Sequence, residues 1–395
     1  MNPVEMANLR FDSRTHVALF QELLSMPRET VPQLTAAAAR KALAGAATVL
    51  DLEFVVVESI APTFLLLPQR GSEAALAAFG SWHAEAHPVL PAAVEGGERL
   101  ALSASIGALA TLRAAGAAPP AVVVAPAAAQ GSVPLLECLR AHRGQLQSAV
   151  AFWPRVSPTA PTRRRVFLGA RGRVVLAVRD ELLNAYTLRD QLVSRLKEEA
   201  YGPRPLDFEL LRKLADQEQA LDFLEETLDD PKSVAGEGET RLRAALFEPR
   251  GQVVRPAVRH PDRPQAWIVV ETAENMDPAD VARSAGALAG GGKIEMVEAF
   301  PWDRMNIHHP SIQAGIRTAK SHSHGAEIWP MAPWVTPSGL FTKALGMPLV
   351  EWGVPLPQGA AIRFPSAESL ETMERELAEL FLRGLGALSA PSHEA

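Results

Sequence analysis

Apolar positions along the chain recur with two periods. In "HVALFQELLSM" they fall at Val17, Phe20, Leu23 and Leu24, the spacing of a helix with one buried face. "TVPQLTAAAARKALAGAATVL" predicts a second helix, rich in Ala. "LEFVVVES" and "TFLLLPQ" predict strands, and the second is apolar throughout, as in a central parallel strand covered on both faces. "SIGALATLRAAGA" predicts a helix ending at Gly116. "AVVVAP" then predicts a buried parallel strand, and "VPLLECLRAHRGQL" the helix after it. "VFLGARGRVVLAVRD" reads as strand, turn, strand. The alternation up to Arg173 predicts an α/β layered domain.

The pattern then changes. From Glu181 to Leu246 the chain is charged and helical, most clearly in "DFELLRKLADQEQALDFLEETL". "AWIVVETAE" predicts a strand, "DPADVARSAGALAG" a helix opened by Asp277 and Pro278, and "KIEMVEAF" another strand. The α/β pattern resumes with "PSIQAGIRTAKS", "GLFTKALG" and "PLVEWGV", and ends on the helix "SAESLETMERELAELFLRGL". Residues 173–290 therefore read as a smaller domain inserted in a larger one made of 1–172 and 291–395.

Composition narrows the class. The chain has 395 residues, 47% hydrophobic and 21% charged, which fits a globular protein of more than one domain. A net charge of -6 gives no reason to expect nucleic acid as a partner. The single cysteine, Cys138, excludes an internal disulfide and a Cys-rich zinc site, and its place in "LLECLRAH" predicts a buried packing role. The first residues show no basic start followed by an apolar core, and no apolar run is long enough to span a membrane. The expectation is a cytoplasmic protein with no membrane association.

In open α/β sheets, sites gather at the carboxyl ends of the strands. After "AVVVA" that position holds Ala127, Ala128 and Ala129, which offer no chemistry. The order of elements explains why this matters. "LFQELLSMPRET", "SWHAEAHPVLPAAVEGGERL", "FLGARGRV" and "PSGLFTKALGMPLVEWGVPLPQG" together resemble the dizinc metallopeptidase family of aminoacylases, carnosinases, carboxypeptidase G and succinyl-diaminopimelate desuccinylase. The resemblance covers nearly the whole chain. It implies a three-layer α/β/α catalytic-type domain with an inserted two-layer α+β lid that often dimerises. It also implies two zinc ions held by His and carboxylate ligands, with a Glu as base to the bridging water. Zinc needs nitrogen and oxygen donors at short range, and activating its water takes metal charge plus a base.

Each of the family's five ligand motifs has lost its chemistry in this alignment. A strand ending in His-x-Asp aligns with "TFLLLPQRGSE", placing Gln69 and Gly71 at the two positions. The metal-bridging Asp before Lys-Gly aligns with "LSASIG", placing Ala104 at the Asp, Ile106 at the Lys and Gly107 at the Gly. The Glu-Glu pair before Gly-Ser becomes Ala128 and Ala129, with Gly131 and Ser132 kept. The Asp that follows a later strand is sought in "AVAFWPRV", which has no carboxylate. The last His aligns with Arg363, and its following Pro with Pro365. Between residues 101 and 150 the only acidic side chain is Glu137. Two further losses agree. No histidine lies between His142 and His260, where the lid of relatives carries one. Glu271 stands about where a substrate-holding Arg is expected.

Other candidates are weaker. "HAEAH", with His83, Glu85 and His87, resembles a metal cluster but lacks the spacing that sets two His on one helical face. "NIHHPS" and "SHSHG" read as solvated turns. Ser103, Ser105 and Ser132 have no evident His-acid partners. The leading expectation is a catalytically inactive relative of dizinc amidohydrolases that needs no metal. It would act as a binding or structural subunit, in a homodimer or hetero-oligomer formed through the lid. Gln69, His83, His87 and Arg363 would line the old cleft, where Arg363 would favour a small anion. The alternative is an amide or peptide hydrolase with a rebuilt site around His83, His87 and Arg363.

Overall fold

The computed structural model describes residues 9–26, 32–58, 62–68, 74–79, 97–125, 133–146, 148, 150–157, 164–178, 191, 266–272, 278–289, 294–322, 326–329, 332–335, 338–355 and 367–389. Apart from Gln191, the charged segment from Glu181 to Leu246 lies outside these residues. The fold is a mixture of helix and strand. Helices α1 (Ser13–Ser25) and α2 (Pro32–Leu50) lead into β1 (Glu53–Val57), β2 (Thr63–Leu67) and β3 (Ala74–Phe79). Then come α3 (Gly97–Ala114), β4 (Ala121–Ala125), α4 (Val133–Ala141), α5 (Arg143–Leu146), β5 (Val150–Ser157), β6 (Arg164–Phe167) and β7 (Gly169–Val178). The second half holds β8 (Ala266–Thr272), α6 (Pro278–Leu288), β9 (Ile294–Phe300), β10 (Asp303–Arg304) and α7 (Pro310–His322). It closes with β11 (Ala326–Trp329), β12 (Ala332–Val335), α8 (Ser338–Leu345), β13 (Leu349–Pro355) and α9 (Ala367–Ser389).

Eight strands form one sheet in the order β1-β2-β4-β3-β5-β13-β6-β11. β3, β4, β5 and β13 run parallel to one another. β2 is buried along its whole length, as its composition requires, but it runs antiparallel to both β1 and β4. That corrects the expectation of a parallel strand. Burial on both faces dictates which residues a strand carries and leaves its direction open.

Successive strand residues point to opposite faces. Phe64, Leu66, Val122, Val124, Phe152 and Trp352 join one apolar cluster with residues of α1, α2, α3, α7 and α9. Leu65, Leu67, Val123 and Trp153 join another with residues of α4, α5 and α8. Cys138 belongs to this second cluster, and burial pushes its thiol up to about 12, so it packs as an apolar residue.

Two buried arginines tie distant elements together. Arg164 grips Glu376 through two bonds of 2.7 Å, and Trp352 donates its indole N–H to the same carboxylate. Such a planar fork fixes the angle of α9 against β6. Arg99, at the start of α3, donates to the carbonyls of Leu23 and Met26 and so closes the end of α1.

"VFLGARGRVVLAVRD" forms two strands, but they belong to different sheets. β6 lies in the large sheet, and β7, beyond Leu168, is central to a second. The start of β7 pairs with β10 and β12, and Gly169 is required there because a side chain would strike the Asp303 carbonyl. The rest of β7 pairs antiparallel with β8 and β9, and α6 packs on β7 and β9. This sheet therefore continues through β9, past the boundary expected at residue 290. No helix among the described residues is long and apolar enough to cross a membrane.

Candidate functional site

Parallel strands deliver their carboxyl ends to one edge of a sheet, where α/β crevices form. Here β3, β4, β5 and β13 all end at that edge. Phe79 and Ala125, the last residues of β3 and β4, are register partners. β3 pairs with β5 up to Leu76–Phe152, and Arg155 lies three residues beyond that pair, two before the end of β5. Antiparallel β2 leaves the sheet on the opposite edge. Two motifs that share one pair of metal ions must emerge on the same side. β2, which leads to Gln69 and Gly71, therefore does not end beside β4, which leads to Ala128 and Ala129. The strand that does is β3, and the chain after it reads "GSWHAEAHP", with His83, Glu85 and His87.

Gln69, Gly71, His83, Glu85, His87, Ala128, Ala129, Gly131, Ser132, Glu271's side chain, Arg363 and Pro365 lie outside what the structure describes. Ala104 is described. α3 begins at Gly97, well before the start expected near Ser105, so Ala104 lies within the helix. Seven residues of helical rise put it about 10 Å from the first residue of α3. It is fully buried in the cluster with α1 and α2. Gly107, one turn on, faces the buried pair His16–Glu374. Of the serines considered, Ser105 donates to the Ala101 carbonyl, and the buried Ser103 hydroxyl has no partner.

Two charged groups escaped the sequence reading, one near the carboxyl end of β5 and the other at the third residue of β13. Arg155 of β5 and Glu351 of β13 form a 2.8 Å ion pair with side chains only 12% and 6% exposed. The Arg155 guanidinium also stands 5.0 Å from the centre of the Trp153 ring, within cation–π range. The two residues are 196 positions apart, and only the parallel pairing of β5 with β13 brings them together. The strand of Arg155, "VAFWPRVS", is the one searched for a carboxylate ligand.

Farther from this edge, "SHSHG" is not a solvated turn at its first histidine. His322 ends α7 and bonds Glu379 at 2.7 Å. In "NIHHPS", burial lowers the pKa of His309, whose Nδ1 accepts the Ser311 amide. Among the described residues no three His, Cys, Asp or Glu side chains gather as a metal ligand set.

No family model and no curated protein matches this sequence. Solved structures do. The M20 family metallo-carboxypeptidase Sso-CP2 of Sulfolobus solfataricus superposes with a TM-score of 0.65 at 14% identity, over 95% of this chain and 99% of that one. Human carnosine dipeptidase 1 gives 0.62 at 11% identity, over 95% and 97%. The dipeptidase Dug1p of Saccharomyces cerevisiae gives 0.62 at 12%, over 98% of each chain. The chain has the fold of the M20 metallopeptidases. An M20-type fold of mixed helix and strand, as the resemblance implies, is thereby found, and the similarity spans almost the full length of both partners in each comparison.

Proposed function

We propose that this chain is a non-catalytic protein built on the M20 hydrolase fold, acting as a binding or structural subunit. The observation that carries this reading is the carboxyl edge of the parallel strands. Ala125 ends β4 there and is followed in sequence by Pro126, Ala127, Ala128 and Ala129, while β5, on the far side of β3, carries the cation Arg155. A dizinc hydrolase needs carboxylates between its ions and a carboxylate base, and these positions supply none. In this reading the large sheet and its helices form the three-layer body. The sheet around β7 with α6 forms the lid. The protein works in the cytoplasm without a metal cofactor.

Association would run through the lid, as a homodimer or with an active relative. Among the described residues β8 pairs only with β7, and a strand at the edge of a sheet favours pairing with a strand from another chain. Arg363 would give the old cleft an affinity for small anions. One observation favours the alternative of a rebuilt hydrolase. β3 ends beside β4, and the residues after it place His83 and Glu85 in the His-x-acid pattern of a first metal motif.

The test is turnover of N-acyl amino acids and dipeptides with added zinc, together with zinc content after dialysis and the mass in solution. The proposal expects no turnover, no retained zinc, and a dimer or a captured partner. Sustained turnover with zinc retained would establish the alternative, and a strict monomer with no partner would remove the association role.

A further inference from the structure

The described residues at the carboxyl edge do not fit a pair of zinc ions, because a guanidinium already supplies positive charge there. We propose that Arg155 is the resident cation of this edge, held by Glu351, and that the pair replaces the metal that a carboxylate on β5 would otherwise help to bind. The inference rests on the non-catalytic reading, but its test reads metal binding and stability, not turnover.

Three observations meet at this point. Arg155 lies beyond the last β3–β5 pair and two residues before the end of β5, on the carboxyl side of the sheet toward which the parallel strands run. It is on β5, the strand on which the resemblance expects an Asp ligand. Its partner is a carboxylate with 6% exposure on the adjacent parallel strand. A buried carboxylate without a counter-charge is strongly disfavoured, so Glu351 needs a cation in this fold. Arg155 meets that need from within the chain, and Trp153 backs the guanidinium through its ring face. A divalent ion placed beside this pair would face a fixed like charge and compete for a carboxylate already engaged.

Full-length protein and variants at these two positions test the pair. Calorimetric titration with zinc chloride is carried out on the wild type, Glu351→Gln, Arg155→Asp, and Arg155→Asp combined with Glu351→Gln. Arg155→Asp sets two carboxylates on adjacent strands and is expected to bind zinc on the order of tenfold or more tighter than the wild type. Adding Glu351→Gln should abolish the gain. Wild-type zinc binding that Glu351→Gln removes would overturn the proposal. So would a folded Arg155→Asp protein with no gain. Should that variant not fold, urea unfolding of Arg155→Gln, Glu351→Gln and the double variant decides. The double variant is expected to lose less stability than the two singles together, and simple additivity would overturn the pair's role.

Discussion

Burial and hydrogen bonding compete at Glu379 and Asp303, and the winner differs. Desolvation pushes Glu379 up, but bonds from His322, Ser321 and Arg383 outweigh it and hold the carboxyl down to about 2, from an ordinary 4.5. At Asp303 desolvation wins over the Thr342 hydroxyl and the Arg304 amide, so its pKa is raised above 3.8. The signs of the pH dependence are opposite. Glu379 contributes stability that is fully present above pH 4.5 and is lost as pH falls through about 2. Asp303 contributes stability present below pH 3.8 and lost as pH rises through its folded pKa. Glu379→Gln should therefore cost ~2–3 kcal/mol near neutrality and progressively less toward pH 2. Asp303→Asn keeps an oxygen for the Arg304 amide and should be neutral or stabilising near pH 7. Urea midpoints for both variants at pH 3 and pH 7 check the contrast; parallel shifts at the two pH values would contradict it.

At the scale of elements, α3 holds two buried sites with opposite expectations. Ser103 is fully buried with an unpartnered hydroxyl, so Ser103→Ala removes an unsatisfied group and should raise stability by about 1 kcal/mol. Gly107 is the gap through which His16 of α1 meets Glu374 of α9, with Ser13 donating to the other carboxylate oxygen at 2.7 Å. A methyl group there strikes both partners, so Gly107→Ala should cost about 1–3 kcal/mol or more. Denaturant midpoints at unchanged slope measure both, and a stabilising Gly107→Ala would refute the packing argument. The same helix shows what was legible. Its apolar spacing was plain, but its start was not, because "GERLALSA" carries no cap residue that marks Gly97. β3 was missed because "AALAAF" has neither β-branched residues nor alternation. β5 was obscured by Pro154, a residue that argues against a sheet interior, although that strand lies between β3 and β13.

On the scale of the whole molecule, fold and site have separate causes. The parallel strands, the two apolar clusters and the glycines at close approaches are set by packing, and they place this chain on the M20 fold at 14% identity or less to the three structures compared. The edge where those strands end depends on a few side chains that packing does not constrain. That is why the fold was readable from pattern. The Arg155–Glu351 pair was not, since its members meet only after β13 docks on β5. A scaffold retained around altered chemistry predicts how the protein responds to partial repair. Ala128→Glu with Ala129→Glu restores the two carboxylates that the resemblance assigns to base and ligand. Metal sites of this kind act as a unit, and with Ala104 and Arg363 at two further ligand positions and the Arg155 charge retained, two carboxylates do not complete one. The doubly substituted protein should therefore fold, retain no zinc through dialysis, and leave dipeptides uncleaved. Adding Arg155→Asp should raise zinc retention before any turnover is seen, because charge at the edge limits metal binding and the remaining ligands limit chemistry. Zinc content by elemental analysis and dipeptide cleavage measured on the same samples separate these steps. Turnover in the doubly substituted protein with Arg155 intact would show that the edge tolerates a metal and that catalysis was only two carboxylates away.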